Sequence, residues 1–330
     1  MNSEPLIHYL LQFHGSARPS GVIIDFMDRR DVLRTLVAAG TGAAIGGRLM
    51  GAEDVPAKIT RPIPKSGERL PVIGLGTSKV FDVGATADER GPVRDVLLGL
   101  VEAGGSVVDS SPMYGRAEAV VGGIVAEAGL RKSLFLASKV WTQGHDAGVE
   151  QVETSLRQMS GGRMDLMQVH NLVDVKTQLA TLRKLKEGGR VRYVGVSHWK
   201  ASAHAELEKT LREEALDFVQ LNYSIVEREA EVRLLPLAAD RGVAVLVNRP
   251  FAQGGLFDKV KGKPVPDWAA SFDAASWGQF FLKFVVSHPA VTCAIPATAK
   301  VAHLRDNMAA GWGRLPDRET RERMAAMFAG

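Results

Sequence analysis

Four side chains that can hold or transfer a proton follow short apolar runs of the sequence. Asp109 ends the run at 106–108, Tyr114 comes five residues later, and Lys139 and His170 follow two further runs. Each residue alone has a structural explanation, as a helix cap, a packed ring, a solvated lysine or a core histidine. The set is hard to obtain by chance, because a lysine and an aspartate buried together are costly unless they pair.

Proton transfer to an oxygen is the chemistry that this set would perform. A tyrosine phenol has an ordinary pKa of about 10, and an ammonium group beside a phenol lowers that pKa by favouring the phenolate. An aspartate next to the lysine would keep it charged, and a histidine could orient a carbonyl group. The set therefore predicts protonation of an oxygen that gains negative charge as hydride reaches carbon. Since side chains supply no hydride, a nicotinamide cofactor would be needed.

Eight short apolar runs could carry these residues as parallel strands. The runs lie at 72–76, 106–109, 134–138, 165–169, 192–196, 217–221, 243–247 and 292–295. Segments with apolar residues at helical spacing lie at 88–103, 116–128, 146–159, 175–188, 200–213, 229–240, 276–287 and 317–328. Apolar strands alternating with helices are typical of a parallel sheet covered by helices, and the count of eight favours a closed (β/α)₈ TIM barrel. A short N-terminal hairpin, with its turn near 66–67, should precede the barrel.

The carboxyl ends of barrel strands meet at one rim, where active sites of this architecture lie. The predicted strands end on polar residues: Asp109, Lys139, His170, Ser197 with His198, and Gln220. We therefore expect these side chains to converge at that rim.

The overall composition is that of an ordinary globular chain. Apolar residues make up 45% and charged residues 24%, and the net charge is +4. The basic residues are scattered, which argues against a nucleic-acid-binding protein. The single cysteine, Cys293, cannot form an internal disulfide and offers no metal-ligand cluster. We expect it in the core and expect no metal site.

The first 57 residues differ in their sequence pattern from the rest of the chain. Arg29 and Arg30, followed by a small and moderately apolar stretch, resemble a twin-arginine export signal that begins at Met27, with cleavage near Ala52 or Ala57. The stretch is too short and too weakly apolar for a stable membrane span. We therefore expect an extension over 1–57, a barrel domain over 58–330, recognition by export machinery, and a periplasmic or exported protein. A poorly ordered N-terminal helix and a cytoplasmic location are the alternatives.

From about residue 58 onward the chain resembles the aldo-keto reductase superfamily. The matching segments are GLGTSKV (74–80), VVDSSPMYG (107–115), LFLASKVW (134–141), DLMQVHN (165–171), VRYVGVSHW (191–199), VQLNYS (219–224) and AIPATAKVAHLRDN (294–307). The resemblance implies a (β/α)₈ barrel that binds NADP(H) at its C-terminal rim. It also implies a catalytic tetrad in which Tyr114 is the general acid, Asp109 and Lys139 tune it, and His170 positions the carbonyl.

The resemblance also implies the cofactor contacts. They are Thr77, Asp109, Ser197, His198, Gln220, Pro250, Gly254, Leu256, Thr298, Lys300, His303 and Asn307. Thr77 would lie near the nicotinamide ribose, Ser197 and Gln220 would hold the carboxamide, and the loop NRPFAQGGL (248–256) would wrap the pyrophosphate. His198 stands where Asn is usual, and Asn248 stands where some relatives carry an aromatic that stacks on the nicotinamide.

The segment IPATAKVAHLRDN resembles the segment of family members that binds the adenosine phosphate. Ala297 and His303 stand where relatives often carry Lys and Arg, which leaves Lys300 and Arg305 as the available cations. Because a 2′-phosphate needs cationic donors and some remain, NADP(H) is favoured over NAD(H).

The resulting hypothesis is a reductase that converts aldehydes or ketones, as small-molecule carbonyl substrates, to alcohols. One alternative is a lyase in which Lys139 forms a Schiff base, and another is a cofactor-binding, redox-sensing barrel with little turnover. Trp141, Trp199 and Phe251 could line the pocket or pack, whereas Trp277 is expected to pack. The polar stretch 253–275 predicts a mobile loop over the cofactor, and the short C-terminal tail predicts an open pocket. No pattern in the sequence favours a particular oligomeric state.

Overall fold

Ten strands and ten helices make up the part of the chain that the computed structural model describes, residues 56–329. The strands are β1 (Thr60–Pro62), β2 (Arg69–Pro71), β3 (Leu75–Gly76), β4 (Val107–Asp109), β5 (Phe135–Val140), β6 (Met164–His170), β7 (Val191–His198), β8 (Phe218–Asn222), β9 (Ala244–Asn248) and β10 (Cys293–Ala294). The helices are α1 (Ala87–Glu102), α2 (Ala117–Glu127), α3 (His145–Ser155), α4 (Val175–Glu187), α5 (His204–Glu213), α6 (Leu234–Asp240), α7 (Gly255–Lys259), α8 (Trp277–Val286), α9 (Val301–Ala309) and α10 (Arg318–Ala326). The predicted export signal lies outside the described residues.

The eight strands β3 to β10 are parallel, and they pair in chain order. The sheet closes between its first and last strands. The Gly74 amide donates to the Ala294 carbonyl at 2.8 Å, and the Ala294 amide donates to the Val72 carbonyl at the same distance. The Gly76 amide donates to the Pro296 carbonyl at 3.1 Å. The closure confirms the predicted (β/α)₈ barrel, and the antiparallel pair β1–β2 confirms the hairpin before it.

Apolar side chains fill the amino-terminal half of the barrel. The rings of Phe135, Tyr193 and Phe218 lie near the starts of β5, β7 and β8, with centroids 5.6 to 5.9 Å apart. Ile63 and Leu70 of the hairpin belong to the same buried cluster, and so does Cys293, which is fully buried as expected. Since this half of the interior is packed, polar side chains have room only toward the carboxyl ends of the strands.

The predicted elements match the structure within a few residues, with two exceptions. The stretch 253–275, predicted as a loop, contains α7 and a 3₁₀ segment at Asp267–Phe272. Helix α9 also lies in a segment with no predicted helix. Trp268 and Phe272 explain part of the first difference, because both rings pack against Phe280 of α8, at centroid distances of 5.6 and 5.8 Å. Between residues 56 and 329, no helix has the length and apolarity that a membrane crossing requires.

Gly195 of β7 gives a test of the close packing inside the barrel. A Cβ at this position would lie 2.6 Å from the Phe218 carbonyl oxygen on β8, closer than such atoms approach. We therefore expect Gly195→Ala to lower the free energy of unfolding by about 1–3 kcal/mol, the usual cost of overpacking. Urea denaturation measures this change.

Gly255→Ala is the control, because Gly255 has φ −61° and a Cβ added there would meet open space. This control should change stability by no more than about 1 kcal/mol, in the stabilising direction. Equal stability of the two variants would contradict the packing described for Gly195.

Candidate active site

The Asp109 carboxylate lies at the centre of the polar rim. It ends β4 and accepts hydrogen bonds from side chains on three other strands. Lys139 Nζ of β5 lies 2.6 Å from Oδ2, and the amides of Gln220 (β8) and Gln168 (β6) lie 2.8 and 3.3 Å from Oδ1. Both members of the ion pair are buried, Asp109 at 3% exposure and Lys139 at 0%. The added hydrogen bonds offset the desolvation of the two charges and hold the carboxylate in one position.

Lys139 lies between the carboxylate and the Tyr114 ring. Its ammonium also donates to the Ser110 carbonyl at 2.6 Å and lies 5.3 Å from the Tyr114 ring centroid. Burial disfavours the charge, but the negative charge of the Asp109 carboxylate outweighs it and holds the pKa of Lys139 above its ordinary value. Lys139 therefore remains an ammonium. A Schiff-base lyase needs a neutral amine at this position, so the geometry disfavours that alternative.

His170 ends β6 and faces Ser197 of β7, its partner in the sheet register. The ring Nδ1 lies 2.8 Å from the Ser197 hydroxyl oxygen. Burial, reinforced by the charges of Lys139 and His198, lowers the pKa of His170 to about 3. The ring is therefore neutral at physiological pH. When the Ser197 hydroxyl donates to Nδ1, the ring carries its proton on Nε2 and can donate it to a ligand.

Asp109, Tyr114 and His170 open into a cavity of about 1340 Å³, whereas the fully buried Lys139 lies outside its lining. Asp109, Tyr114 and His170 line one part of it, and Thr298, His303 and Asn307 line another. The other predicted contacts that line it are Thr77, Gln220, Pro250 and Gly254. Four predicted contacts lie outside the lining: Ser197, His198, Leu256 and Lys300. The role of each of these residues toward a cofactor stays a prediction.

The cavity lining fits a dinucleotide. The side-chain oxygens of Asn171 and Asn248 are buried and accept no hydrogen bond from residues 56–329, although both residues line the cavity. Such acceptors suit a ligand with amide donors, as a nicotinamide carboxamide has. Trp199 and Phe251 line the cavity. Trp277 packs on Phe280 and Phe281, as expected, and lines the cavity as well. Trp141 does not, and is 41% exposed.

The part of the cavity near Thr298 carries fewer cations than the sequence suggested. His303 lines it, whereas Lys300 and Arg305 are exposed and lie outside the lining. Asp306 also lines this part, and its carboxylate accepts hydrogen bonds from Ser276 at 2.7 Å and Gln279 at 2.8 Å.

Sequence reasoning missed two polar residues of the site. Gln168 donates to Asp109, and its position two residues before His170 on one strand could have indicated that both face the interior. Arg249 lines the cavity directly after β9, and only its place in the loop 248–256 could have suggested it.

Comparison with known proteins agrees with this geometry. The model of the aldo/keto reductase family matches residues 72–325. The chain is 32% identical over 247 residues to methylglyoxal reductase YeaE of Escherichia coli K12, which covers 73% of this chain and 85% of the relative. It is 26% identical over 246 residues to a glyoxal reductase of Bacillus subtilis, with 73% and 83% covered.

A solved structure gives the same fold with a cofactor bound. The crystal structure of an aldo/keto reductase from Klebsiella pneumoniae in complex with NADP and acetate superimposes with a TM-score of 0.69 and 27% identity. The match covers 82% of this chain and 96% of that one.

The low pKa of His170 predicts an imidazole that does not titrate near neutrality. An ordinary histidine titrates at about 6.5, whereas His170 should stay neutral from pH 8 down to about pH 4. Long-range ¹H–¹⁵N spectra of the imidazole groups, with the His170 signal assigned through His170→Asn, follow this directly. A transition between pH 6 and 7 in that signal would refute the burial described for the ring.

Proposed function

The chain belongs to the aldo/keto reductase family, and we propose that it is an NADP(H)-dependent reductase that converts aldehydes or ketones to alcohols. The observation that carries the proposal is the buried Asp109–Lys139 pair beside the Tyr114 ring, with Asp109, Tyr114 and a neutral His170 lining one cavity. A redox-sensing barrel with little turnover remains the second candidate for this fold.

Tyr114 gives its hydroxyl proton to the carbonyl oxygen in the proposed reaction. The Lys139 ammonium stabilises the phenolate that remains, and Asp109 keeps the ammonium charged and in place. His170 donates its Nε2 proton in a hydrogen bond to the same carbonyl oxygen, which orients the substrate and stabilises the charge that develops there.

The chemistry that NADPH supplies when bound is a hydride for the carbonyl carbon. Thr77, Gln220 and Asn248 would hold its reacting end, and Thr298 and Asn307 its adenosine end. NADP(H) is proposed over NAD(H) because the Klebsiella relative was crystallised with NADP and because His303 lines the cavity near Thr298, where an imidazole nitrogen can donate a hydrogen bond to a phosphate oxygen.

Small 2-oxoaldehydes are the substrates to examine first. The Escherichia and Bacillus relatives are a methylglyoxal reductase and a glyoxal reductase. Each of these compounds carries a second carbonyl group next to the reacting one.

We further propose that the protein is exported through a twin-arginine signal, which the pair Arg29–Arg30 and the small apolar stretch after it support. Fractionation of cells that express the full chain should place it outside the cytoplasm. Arg29→Lys combined with Arg30→Lys should retain it inside. If both forms stay in the cytoplasm, the signal assignment is wrong.

Tyr114→Phe tests the proposed reaction. The variant should lower kcat for carbonyl reduction at least about a hundredfold, because general acids contribute about 10²–10⁴-fold. The Kd for NADPH should stay unchanged, because the cofactor does not need the hydroxyl. Absorbance at 340 nm follows NADPH consumption with methylglyoxal, glyoxal, 4-nitrobenzaldehyde, ketones and sugars, and calorimetry measures binding.

The same assay with NADH compares the two cofactors, and NADPH should show the lower KM. Normal reduction by Tyr114→Phe would remove the proton-donor assignment. Tight NADPH binding by the wild type without turnover of any carbonyl would favour the redox-sensing barrel instead.

A further inference from the structure

Glu118 is a buried carboxylate near the active site that the mechanism above does not use. It lies in the first turn of α2 and is 2% exposed. Its Oε1 accepts a hydrogen bond from the Ser138 hydroxyl of β5, and its Oε2 accepts one from the Ser155 hydroxyl of α3 at 3.1 Å. This one side chain therefore joins three elements of the barrel.

The burial of Glu118 is costly, which indicates a role beyond packing. Burial raises the pKa of this carboxyl, and the two hydroxyl donors, with the charge of Lys139, do not reverse the shift. Within the described part of the chain Glu118 has no ion-pair partner at 4.0 Å or less. By contrast, Glu208, at 5% exposure, pairs with Arg212 at 2.8 Å and Arg233 at 2.7 Å. A neutral side chain would fill the Glu118 site without the desolvation cost.

Two neighbouring residues of β5 make contacts on opposite faces of the strand. Lys139 points into the barrel and pairs with Asp109 at 2.6 Å, whereas Ser138 points outward and donates to Glu118 on α2. This follows from the alternation of side chains along a strand. The contact with Glu118 therefore holds α2 against the part of β5 that carries the ammonium.

The start of α2 is bound directly to Tyr114. The Ala117 amide donates to the Tyr114 carbonyl at 3.2 Å, so the residue before Glu118 contacts the residue that carries the proposed proton donor. Further along α2, Gly122 lies against the Gln158 carbonyl oxygen and leaves no space for a Cβ. Because the turn between Tyr114 and Glu118 is short, a shift of the helix start would also shift the Tyr114 ring.

We propose that Glu118 is a positioning residue for carbonyl reduction: its carboxylate ties the start of α2 to β5 and so holds the Tyr114 hydroxyl in place relative to the Lys139 ammonium. The inference rests on the proposed function. Glu118 lies outside the cavity lining, so it acts through Tyr114 and not by touching substrate or cofactor. A misplacement of about 1 Å at a reacting group can lower a rate about 10²-fold.

Steady-state kinetics with NADPH and the carbonyl compound that the wild type reduces fastest test the proposal. Glu118→Ala should lower kcat about tenfold to a hundredfold, because Tyr114 is no longer held beside the ammonium. The KM for the carbonyl compound and the calorimetric Kd for NADPH should stay unchanged. Glu118→Gln should recover part of kcat, because its amide oxygen can still accept a hydrogen bond from Ser138.

The Tyr114→Phe background separates positioning from general damage. In that background Glu118→Ala should cause no further loss of kcat, because the hydroxyl that Glu118 positions is absent. Ser138→Ala in the otherwise wild-type chain should also lower kcat, since it removes the contact with β5 and leaves Glu118 in place. This second variant keeps the test decisive if Glu118→Ala does not fold.

Glu127→Gln is the matched control. Glu127 lies on the same helix, but it is exposed and its contact with Arg90 is a 3.7 Å ion pair. Its kcat should equal that of the wild type. Circular dichroism spectra and melting temperatures show which variants are folded.

Several results would overturn the assignment. A normal kcat in folded Glu118→Ala removes it outright. An equal loss in the wild-type and Tyr114→Phe backgrounds would mean that Glu118 does not act through Tyr114. Equal kcat values for Glu118→Ala and Glu118→Gln would mean that the charge, and not the hydrogen bond to β5, is required. If the wild type binds NADPH but reduces no carbonyl compound, the proposed function itself fails and this inference fails with it.

Discussion

The buried ion pair between Asp109 and Lys139 is the interaction on which the site depends. Two charges inside a protein are tolerated only when their partners are fixed, and here four strands supply those partners. The pair therefore requires a barrel whose registers are correct, since a shift of one residue on β5 would turn Lys139 outward. Because the pair is fixed, the Lys139 ammonium stays beside Tyr114, and its positive charge disfavours protonation of His170. One arrangement thus keeps Lys139 charged and adds to the effect of burial that keeps His170 neutral.

Much of this arrangement could be predicted from residue order. Apolar runs that end on Asp109, Lys139 and His170 indicated both the strands and the rim, because parallel strands place their carboxyl ends together. The alternation of inward and outward side chains then places these residues inside the barrel. The predicted strands differ from the observed ones by a few residues, mostly at their ends, where pairing depends on the neighbouring strand. Hydrogen bonds across the barrel, such as that from Gln220 to Asp109, join residues 111 positions apart, and no local pattern reveals them.

The part of the cavity formed by Arg249, Trp277 and Thr298 was less predictable for a physical reason. Loop side chains are positioned by contacts with other loops, and the stacking of Arg249 on Trp199 joins two loops 50 residues apart. Lys300 and Arg305 were the obvious cations near Thr298, yet both are exposed, Lys300 directly before α9 and Arg305 within it. Trp277 likewise lines the cavity because α8 begins at its edge, a position that periodicity alone does not give.

The burial of Cys293 has a consequence for the chemical durability of the protein. Thiols react with peroxides and electrophiles as thiolates, and burial raises the pKa of this thiol far above its ordinary value. The sequence contains no other cysteine. A chain of this composition offers no sulfhydryl that an oxidising environment could readily couple or overoxidise. Carbonyl compounds that attack exposed thiols would therefore find no accessible sulfhydryl on this chain.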